Sequence, residues 1–377
     1  MKRRHILVAF GTRPEAIKLA PVVGRLGQRT DACRLSVVAT GQHREMLDQV
    51  TSLFGIVPDL DLDLMRPNQD LAGLTSEAMR RFDEALEKTL PDIVLVQGDT
   101  TTAMVCALAS FYRRIPVGHV EAGLRTRDRY RPFPEEINRR VITTLATWNF
   151  APTLTAVRAL RSEGVAEETI HLTGNTVIDA LLQIVARPEQ PSDAPPFPSE
   201  GLDLILVTAH RRESFGEPFE GLCRALRELA ERNPRLEVVY PVHLNPNVQA
   251  PVRRILEGAP RVRLIEPLGY LAFARLMSRS TLILTDSGGI QEEAPALGVP
   301  VLVMREETER PEAIEAGTAR LVGTDPARIV SEAERLLRDP EERRRMCAGG
   351  SPFGDGHAAE RIAAVLLDGS SFPARQH

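Results

Sequence analysis

The sequence has few cysteines and no large excess of either charge. Only 4 cysteines occur in 377 residues, and none forms a C-x-x-C pair or lies at a zinc-ligand spacing from a histidine. We therefore expect reduced thiols, no metal site and a cytoplasmic location. A formal net charge of -4 provides no general attraction to nucleic acid or to an anionic membrane surface, so neither is expected as a partner.

Long apolar runs and the common nucleotide-binding loops are also missing. No apolar stretch approaches the roughly 20 residues of a membrane-spanning helix. The basic N-terminus is followed by an apolar run too short for a signal peptide, which predicts a first strand and a soluble protein. No G-x-G-x-x-G follows that strand and no G-x-x-x-x-G-K-S/T occurs anywhere, so the sequence supports neither a dinucleotide cofactor nor a P-loop.

Short runs of valine, isoleucine and leucine alternate with helical segments along the chain. Such non-alternating runs are typical of parallel strands buried on both faces. They lie at residues 6–10, 35–39, 93–96, 117–120, 204–207, 237–240 and 282–284. Because the pattern occurs in both halves of a chain too long for one core, it predicts an α/β fold with two Rossmann-like, doubly wound domains.

The domain boundary is expected near residues 171–174, before a predicted helix at 176–185 and a proline-rich loop at 187–200. The first domain would then cover residues 1–174 and the second residues 175–356. Near the C-terminus, the apolar residues of 355–368 share one face, which predicts an amphipathic helix.

Polar residues directly after strands are the first candidates for a site, because ligands of open α/β sheets bind beyond the carboxyl ends of the strands. After the first strand, Pro14 can occupy the first turn of a helix, and Arg13 and Lys18 could contact phosphates. The alternative is a solvated turn with a lysine on the helix surface.

Acidic residues follow two neighbouring strands of the first half. Asp99 and Glu121 would reach the same edge of the sheet if the strands pair in the usual right-handed crossover. Asp99 could instead be the N-cap of the helix that Thr100 begins. With Pro134 at a first helical position, Glu135 and Glu136 would lie in the first turn, where they either add to a proton-transfer site or only favour the helix dipole.

The second half offers groups for an anion. His210, Arg211 and Arg212 follow a strand and can donate charge-assisted hydrogen bonds. Further on, the turn at residues 287–289 presents backbone amides at a helix start, where Gly288 and Gly289 allow a diphosphate to approach closely, unless the glycines serve only the turn. Glu293, one turn later, could accept hydrogen bonds from ribose hydroxyls.

These segments, taken together, resemble the non-hydrolysing UDP-N-acetylglucosamine 2-epimerase family over nearly the whole chain. The motifs that carry the resemblance are GTRPEA at 11–16, TGQHR at 40–44, QGDT at 97–100, HVEAGLR at 119–125, FPEEIN at 133–138, TGNTVID at 173–179, HRRES at 210–214, PVHLNP at 241–246, TDSGGIQEE at 285–293 and ERPEA at 309–313. Each motif is weak by itself, whereas their order along the chain is specific.

The resemblance implies a glycosyltransferase-B-like homodimer with an active site in the cleft between the domains and a last helix, at 357–377, that returns to the first domain. Its partners would be UDP-N-acetylglucosamine and UDP. The implied catalytic residues are Asp99, Glu121, Glu135 and His210. The implied UDP-binding residues are Arg13, Lys18, Phe273 against the uracil, Ser287, Gly288, Gly289, Glu293 and Arg310.

Members of this family are often activated by a second UDP-N-acetylglucosamine. The residues that match this neighbouring site are Gln42, Glu136, Arg211 and His243. Glu45 and Asn68 stand where activated relatives have a glutamine and an arginine, which leaves the activation of this chain open. The uracil loop contains Leu268, Gly269 and Tyr270, where relatives commonly have an aspartate before the tyrosine.

The family reaction inverts carbon 2 of the sugar by elimination of UDP and its re-addition to 2-acetamidoglucal. Direct deprotonation is unsuited, because the hydrogen on carbon 2 is not next to a carbonyl. A UDP-sugar glycosyltransferase would share the 287–293 region but needs an acceptor groove and one base. A hydrolysing epimerase would release free N-acetylmannosamine, and a non-catalytic sensor would not need three carboxylates. The three acids of the first domain favour epimerisation.

Overall fold

The structure is a computed structural model that describes residues 3–41, 44–66, 69–188 and 198–368, and of residues 44–46 only the backbone. It divides into two compact units. The first comprises Met1–Ala180 and Phe353–His377, and the second comprises Leu181–Pro352.

The first unit contains, within the described residues, a seven-stranded parallel sheet. Its strands are β1 (Arg4–Phe10), β2 (Cys33–Ala39), β3 (Leu60–Asp61), β4 (Ile93–Gln97), β5 (Val117–Val120), β6 (Trp148–Ala151) and β7 (Ile170–Leu172). Their order is β3-β2-β1-β4-β5-β6-β7. The order reverses between β1 and β4, and polar groups at the carboxyl ends of these central strands therefore flank the crevice of the sheet.

Helices connect these strands in turn. They are α1 (Arg13–Gly27), α2 (Arg44–Phe54), α3 (Leu71–Thr89), α4 (Thr101–Tyr112), α5 (Glu135–Leu145), α6 (Leu154–Ser162) and α7 (Thr176–Val185), which continues into the second unit. The central strands are apolar because they are covered on both faces: β4 is buried along its whole length, and so is β1 from His5 onward.

The second unit repeats the architecture with a six-stranded parallel sheet among the described residues. Its strands are β8 (Asp203–Thr208), β9 (Leu236–Pro241), β10 (Val262–Ile265), β11 (Leu282–Thr285), β12 (Val301–Val303) and β13 (Ala319–Leu321), in the order β10-β9-β8-β11-β12-β13. Its helices are α8 (Glu217–Arg232), α9 (Pro246–Leu256), α10 (Tyr270–Ser278), α11 (Gly288–Ala296), α12 (Pro311–Glu315), α13 (Pro326–Arg338) and α14 (Pro340–Cys347).

The last helix, α15 (Ala358–Leu367), belongs to the first unit and packs against α1. Asp179 of α7 caps it, because the buried carboxylate accepts the backbone N–H groups of Ala358 at 3.2 Å and Ala359 at 2.8 Å. The first unit therefore takes its parts from both ends of the chain.

The fold class expected from the sequence is confirmed in its two doubly wound parallel sheets. Every predicted apolar run lies in a strand, and helix 176–185 is α7. Strands β3, β6, β7, β10, β12 and β13 were not predicted, since most are too short to show a pattern. Most of the proline-rich loop lies outside the described residues. None of the described helices combines the length and the apolar character that crossing a bilayer requires.

Candidate active site

Three carboxylates of the first unit gather at the carboxyl ends of β4 and β5. Asp99 lies just after β4, Glu121 directly follows β5, and Glu135 is the first residue of α5. Burial raises the pKa of the Asp99 carboxyl, Arg139 opposes the rise, and the charges of Glu121 and Glu135 add to it. The positions of the three acids, at the ends of two paired strands and at the start of α5, place them at the same edge of the sheet, as the sequence predicts.

Glu121 is a buried carboxylate surrounded by donors. The Lys18 ammonium lies 2.5 Å from its Oε1, the Asn175 side-chain amide donates to the same oxygen at 3.1 Å, and the Gln97 amide donates to Oε2. The backbone of Glu121 is in the left-handed region at φ 67°, which is uncommon for a residue other than glycine and often found at functional sites. These donors fix the carboxylate in one orientation.

Asp99 is not the N-cap of α4, so that alternative is wrong. Thr100 caps the helix, with its hydroxyl accepting the N–H of Ala103 at 3.0 Å. The Asp99 carboxylate instead accepts from Arg139 Nη2 at 2.5 Å, and its backbone carbonyl accepts from the Asn138 amide at 2.9 Å. Since the threonine satisfies the helix end, the aspartate side chain is available for other chemistry.

Glu135 and Glu136 both lie in the first turn of α5, but Pro134 precedes the helix and does not occupy its first position. Oε2 of Glu135 is buried and makes no hydrogen bond within the part of the chain that the structure describes. Glu136 is fully buried, and it accepts the N–H groups of Thr126 at 3.0 Å and Arg127 at 3.3 Å. In this structure Glu136 holds the 126–127 loop on α5.

The loop after β1 is organised around Glu15. Its carboxylate accepts the N–H groups of Gly11 at 2.9 Å and Thr12 at 2.7 Å and the Thr100 hydroxyl at 2.6 Å, which closes a capping box on α1. Pro14 lies in the first turn, as predicted. Lys18 pairs with Glu121 and is not a solvated surface lysine. Arg13 is half-buried and shows no side-chain partner among the described residues.

The second unit presents a cationic helix start. The helix α11 begins at Gly288 after Ser287, whose side chain does not cap the first-turn amides. A Cβ placed on Gly288 would lie 3.8 Å from Arg310 Cζ and 3.9 Å from Arg211 Nη2, so two guanidinium groups flank this helix end. Free amides, the positive end of the helix dipole and two guanidinium groups together suit a diphosphate.

His210 lies beside this helix start and is held by Asp286. The buried Asp286 carboxylate follows β11 and accepts the backbone N–H groups of His210 at 2.7 Å and Arg211 at 2.8 Å. The His210 ring stacks on His243 at 5.1 Å between centroids, and its Nδ1 lies 3.6 Å from Asp286 Oδ1. Burial lowers the pKa of His210, while Asp286 opposes that shift.

Several residues of the site were not singled out from the sequence. Gln97 and Asn175 contact Glu121, Arg139 contacts Asp99, and Asp286 anchors the His210 loop. Arg305, after β12, lies with Nε 2.9 Å from Glu213 Oε1. Their common signal is a position at or just after the end of a strand or in the first turns of a helix, but one sequence does not show which neighbour each would meet.

The remaining candidates take varied positions. Phe273 is half-buried in the first turn of α10, and Glu293 lies one turn into α11. Arg310 precedes α12 and pairs with the buried Glu292. Gln42 and Asn68 lie outside the described residues, and so does the side chain of Glu45.

Two Rossmann-like domains, one with a carboxylate cluster and the other with a helix start flanked by guanidinium groups, are typical of enzymes that act on sugar nucleotides. The profile of the UDP-N-acetylglucosamine 2-epimerase family matches residues 26–367. The chain belongs to this family and is an isomerase, which confirms the assignment made from the motifs. Its fold is of the glycosyltransferase-B-like class.

Individual relatives agree over nearly the full length. The chain is 53% identical to the UDP-N-acetylglucosamine 2-epimerase of Salmonella typhimurium over 368 residues, which cover 96% of this chain and 98% of that protein. A crystal structure of a putative UDP-N-acetylglucosamine 2-epimerase from Listeria monocytogenes matches with a TM-score of 0.90 at 46% identity, covering 97% of this chain and 96% of that one. The Neisseria meningitidis enzyme bound to UDP-GlcNAc matches with a TM-score of 0.85 at 46% identity, covering 96% and 99%.

Proposed function

We propose that the protein interconverts UDP-N-acetylglucosamine and UDP-N-acetylmannosamine through 2-acetamidoglucal and UDP. The observation that carries the proposal is the gathering of Asp99, Glu121 and Glu135 with the Lys18 ammonium at one sheet edge. A site with several acid and base groups suits a reaction that removes a proton from one face of a sugar and returns it to the other.

The first step is an anti elimination. A carboxylate takes the proton from carbon 2, the electrons of that bond form the double bond between carbons 1 and 2, and the bond from carbon 1 to the phosphate oxygen breaks. The products are 2-acetamidoglucal and UDP. In the return step, syn addition, UDP attacks carbon 1 while carbon 2 receives a proton from the opposite face, which gives the manno epimer.

The leaving diphosphate gains charge as the bond breaks and needs donors placed beforehand. The start of α11, with Gly288 and Gly289, and the neighbouring Arg310 and His210 provide amides and cationic groups for this purpose. Donors fixed before the reaction stabilise the developing charge without further reorganisation. Phe273 and Glu293 would contact the uracil and the ribose.

The acids differ in environment, which suits different roles. Glu121 accepts from three donors and is therefore suited to remain ionised as a base. Burial raises the pKa of Asp99, so that this group can carry a proton closer to neutral pH. Glu135 has a buried oxygen without a hydrogen bond among the described residues, a suitable acceptor for a substrate group.

The test is incubation of the protein with UDP-N-acetylglucosamine in heavy water, followed by proton NMR. We expect the UDP-linked manno epimer to appear and the carbon 2 proton of both epimers to be replaced by deuterium. Free N-acetylmannosamine with UDP would instead indicate a hydrolysing enzyme. Neither epimer formation nor deuterium at carbon 2 would reject the proposal.

A further inference from the structure

We propose that Arg139 is a positioning residue that fixes the Asp99 carboxylate toward the substrate and sets the distance between Asp99 and Glu135. This inference deepens the proposed function, because it concerns the same proton-transfer site. Arg139 lies in α5, one turn after Glu135, and it is buried with 8% of its surface exposed.

The contact with Asp99 is direct. Arg139 Nη2 donates to Asp99 Oδ2 at 2.5 Å, a short charge-assisted hydrogen bond. The preceding residue, Asn138, donates its side-chain amide to the backbone carbonyl of Asp99 at 2.9 Å and to the Thr101 hydroxyl at 3.5 Å. Two successive residues of α5 thus hold the side chain and the backbone of one aspartate.

The same helix begins with Glu135. The hydrogen bonds from α5 to Asp99 therefore also fix the position of Asp99 relative to Glu135. Arg139 also lies 3.6 Å from the fully buried Glu136, which holds the 126–127 loop. A helix anchored in this way is rigid, and a site on a rigid element keeps its geometry better than one on a loop.

Arg139 also acts on the charge of Asp99. Burial raises the pKa of Asp99, Arg139 opposes this rise, Glu121 and Glu135 add to it, and Lys18 lowers it. Removal of Arg139 leaves the charges of Glu121, Glu135 and Lys18 acting on the carboxyl. The pKa of Asp99 should therefore rise further, whichever protonation state the reaction requires.

The neighbouring Arg140 provides a matched control. It lies on the same helix and pairs with the same Glu136, with Nε 3.0 Å from Oε1, but its side chain is 44% exposed and the structure shows no contact of it with Asp99. Arg139→Gln and Arg140→Gln each remove one cation from Glu136. Of the two substitutions, only Arg139→Gln also removes a cation that contacts Asp99.

The experiment measures kcat, KM and their pH dependence for both variants and for Arg139→Lys. For Arg139→Gln we expect kcat to fall by at least about tenfold with KM changed less than about threefold. The pH limb that reports Asp99 should move to higher pH. Arg139→Lys should restore part of kcat, and Arg140→Gln should stay within about twofold of the unsubstituted protein. Equal losses in Arg139→Gln and Arg140→Gln, or an unshifted pH limb, would overturn the inference.

A second readout does not require activity. A group whose folded pKa is raised stabilises the fold below its unfolded pKa and loses this contribution as the pH rises through the folded pKa. The loss of Tm in Arg139→Gln should therefore be larger at about pH 8 than at about pH 5, and this difference should vanish in the Asp99→Asn background. If the pH dependence of the Tm loss persists in the Asp99→Asn background, Arg139 does not act on the charge of Asp99. An inactive protein that passes this test would reject the proposed function alone.

Discussion

At the scale of single residues, Glu121 combines an unusual backbone with a crowded side chain. A left-handed backbone costs energy for a residue with a Cβ, and such strain persists only where the surroundings fix it. Lys18, Gln97 and Asn175 supply this fixation through the carboxylate. The backbone conformation and the three donors together hold the two carboxylate oxygens of Glu121 in one position, as a general base requires.

Neutral isosteres of the acids test their roles. We expect Glu121→Gln and Asp99→Asn each to lower turnover by about 100-fold or more, because an amide cannot exchange a proton with carbon 2. UDP affinity, measured by calorimetry, should change little, since the start of α11, Arg310 and His210, which are proposed for the diphosphate, belong to the second unit. Loss of UDP binding or of the folded state would show that these carboxylates are structural and not catalytic.

The sequence predicted which acids would lie at the same edge of the sheet but not how they are held. Asp99, Glu121 and Glu135 could be found because each follows a strand or begins a helix. The cap on α4 was ambiguous, because Asp99 and Thr100 are both good N-cap residues and the backbone angles decide between them. Arg139 and Asn175 could not be assigned, since their partners are 40 and 54 positions away in the chain.

At the scale of elements, Gly288 at the start of α11 allows a role in ligand binding to be distinguished from a role in packing. A Cβ on Gly288 would meet its nearest atoms at 3.8 Å or more, an ordinary contact, so the glycine is not needed for packing. We therefore expect the glycine to serve the close approach of a ligand to the backbone, as the proposed function requires. The strand that leads into this helix, β11, is held in place because it pairs with β8 on one side and with β12 on the other.

Gly288→Ala distinguishes these roles. We expect Tm to remain equal or to rise slightly, because alanine favours a helix by up to about 1 kcal/mol. UDP affinity should fall by about tenfold or more, since the methyl group occupies the path of the diphosphate. Gly24→Ala in α1, where a Cβ meets nothing within 4 Å, is the control and should leave affinity unchanged. Equal affinity in both variants would place the diphosphate elsewhere.

The elements themselves followed from the sequence wherever their pattern was long enough. The central strands β1, β4, β8 and β11 are apolar runs between helices, and pairing partners are not needed to recognise them. Strands such as β3, of two residues, and β12 and β13, of three, exist because a neighbouring strand supplies hydrogen bonds. Tertiary pairing, and not local preference, therefore determines the sheet edges.

At the scale of the whole molecule, the first unit depends on a contact between distant parts of the chain. Asp179 caps α15 across about half of the sequence, and α15 packs against α1. The backbone N–H of Asn175, whose side chain contacts Glu121, also donates to the Phe353 carbonyl at 2.6 Å. The returning segment is therefore attached to the neighbourhood of the proposed base.

Removal of this cap should lower stability. We expect Asp179→Ala to reduce the free energy of unfolding by about 1–2 kcal/mol, because two buried N–H groups lose their acceptor. Asp355→Ala is the control: this exposed carboxylate pairs with Arg361 at the same helix, and a surface pair contributes less than about 1 kcal/mol. Chemical denaturation measures both. Equal effects would mean that the Asp179 cap contributes no more than a surface charge.

Because the first unit is discontinuous in the chain, it also affects the order in which the two units fold during synthesis. During synthesis Asp99, Glu121 and Glu135 emerge before the second unit, yet the helix that completes their own unit emerges after it. The second unit has all its residues in one stretch and can finish folding first. A nascent chain could therefore complete the unit proposed to bind the diphosphate before the unit that carries the three acids. A protein truncated before residue 358 would then be expected to bind UDP but to lack turnover.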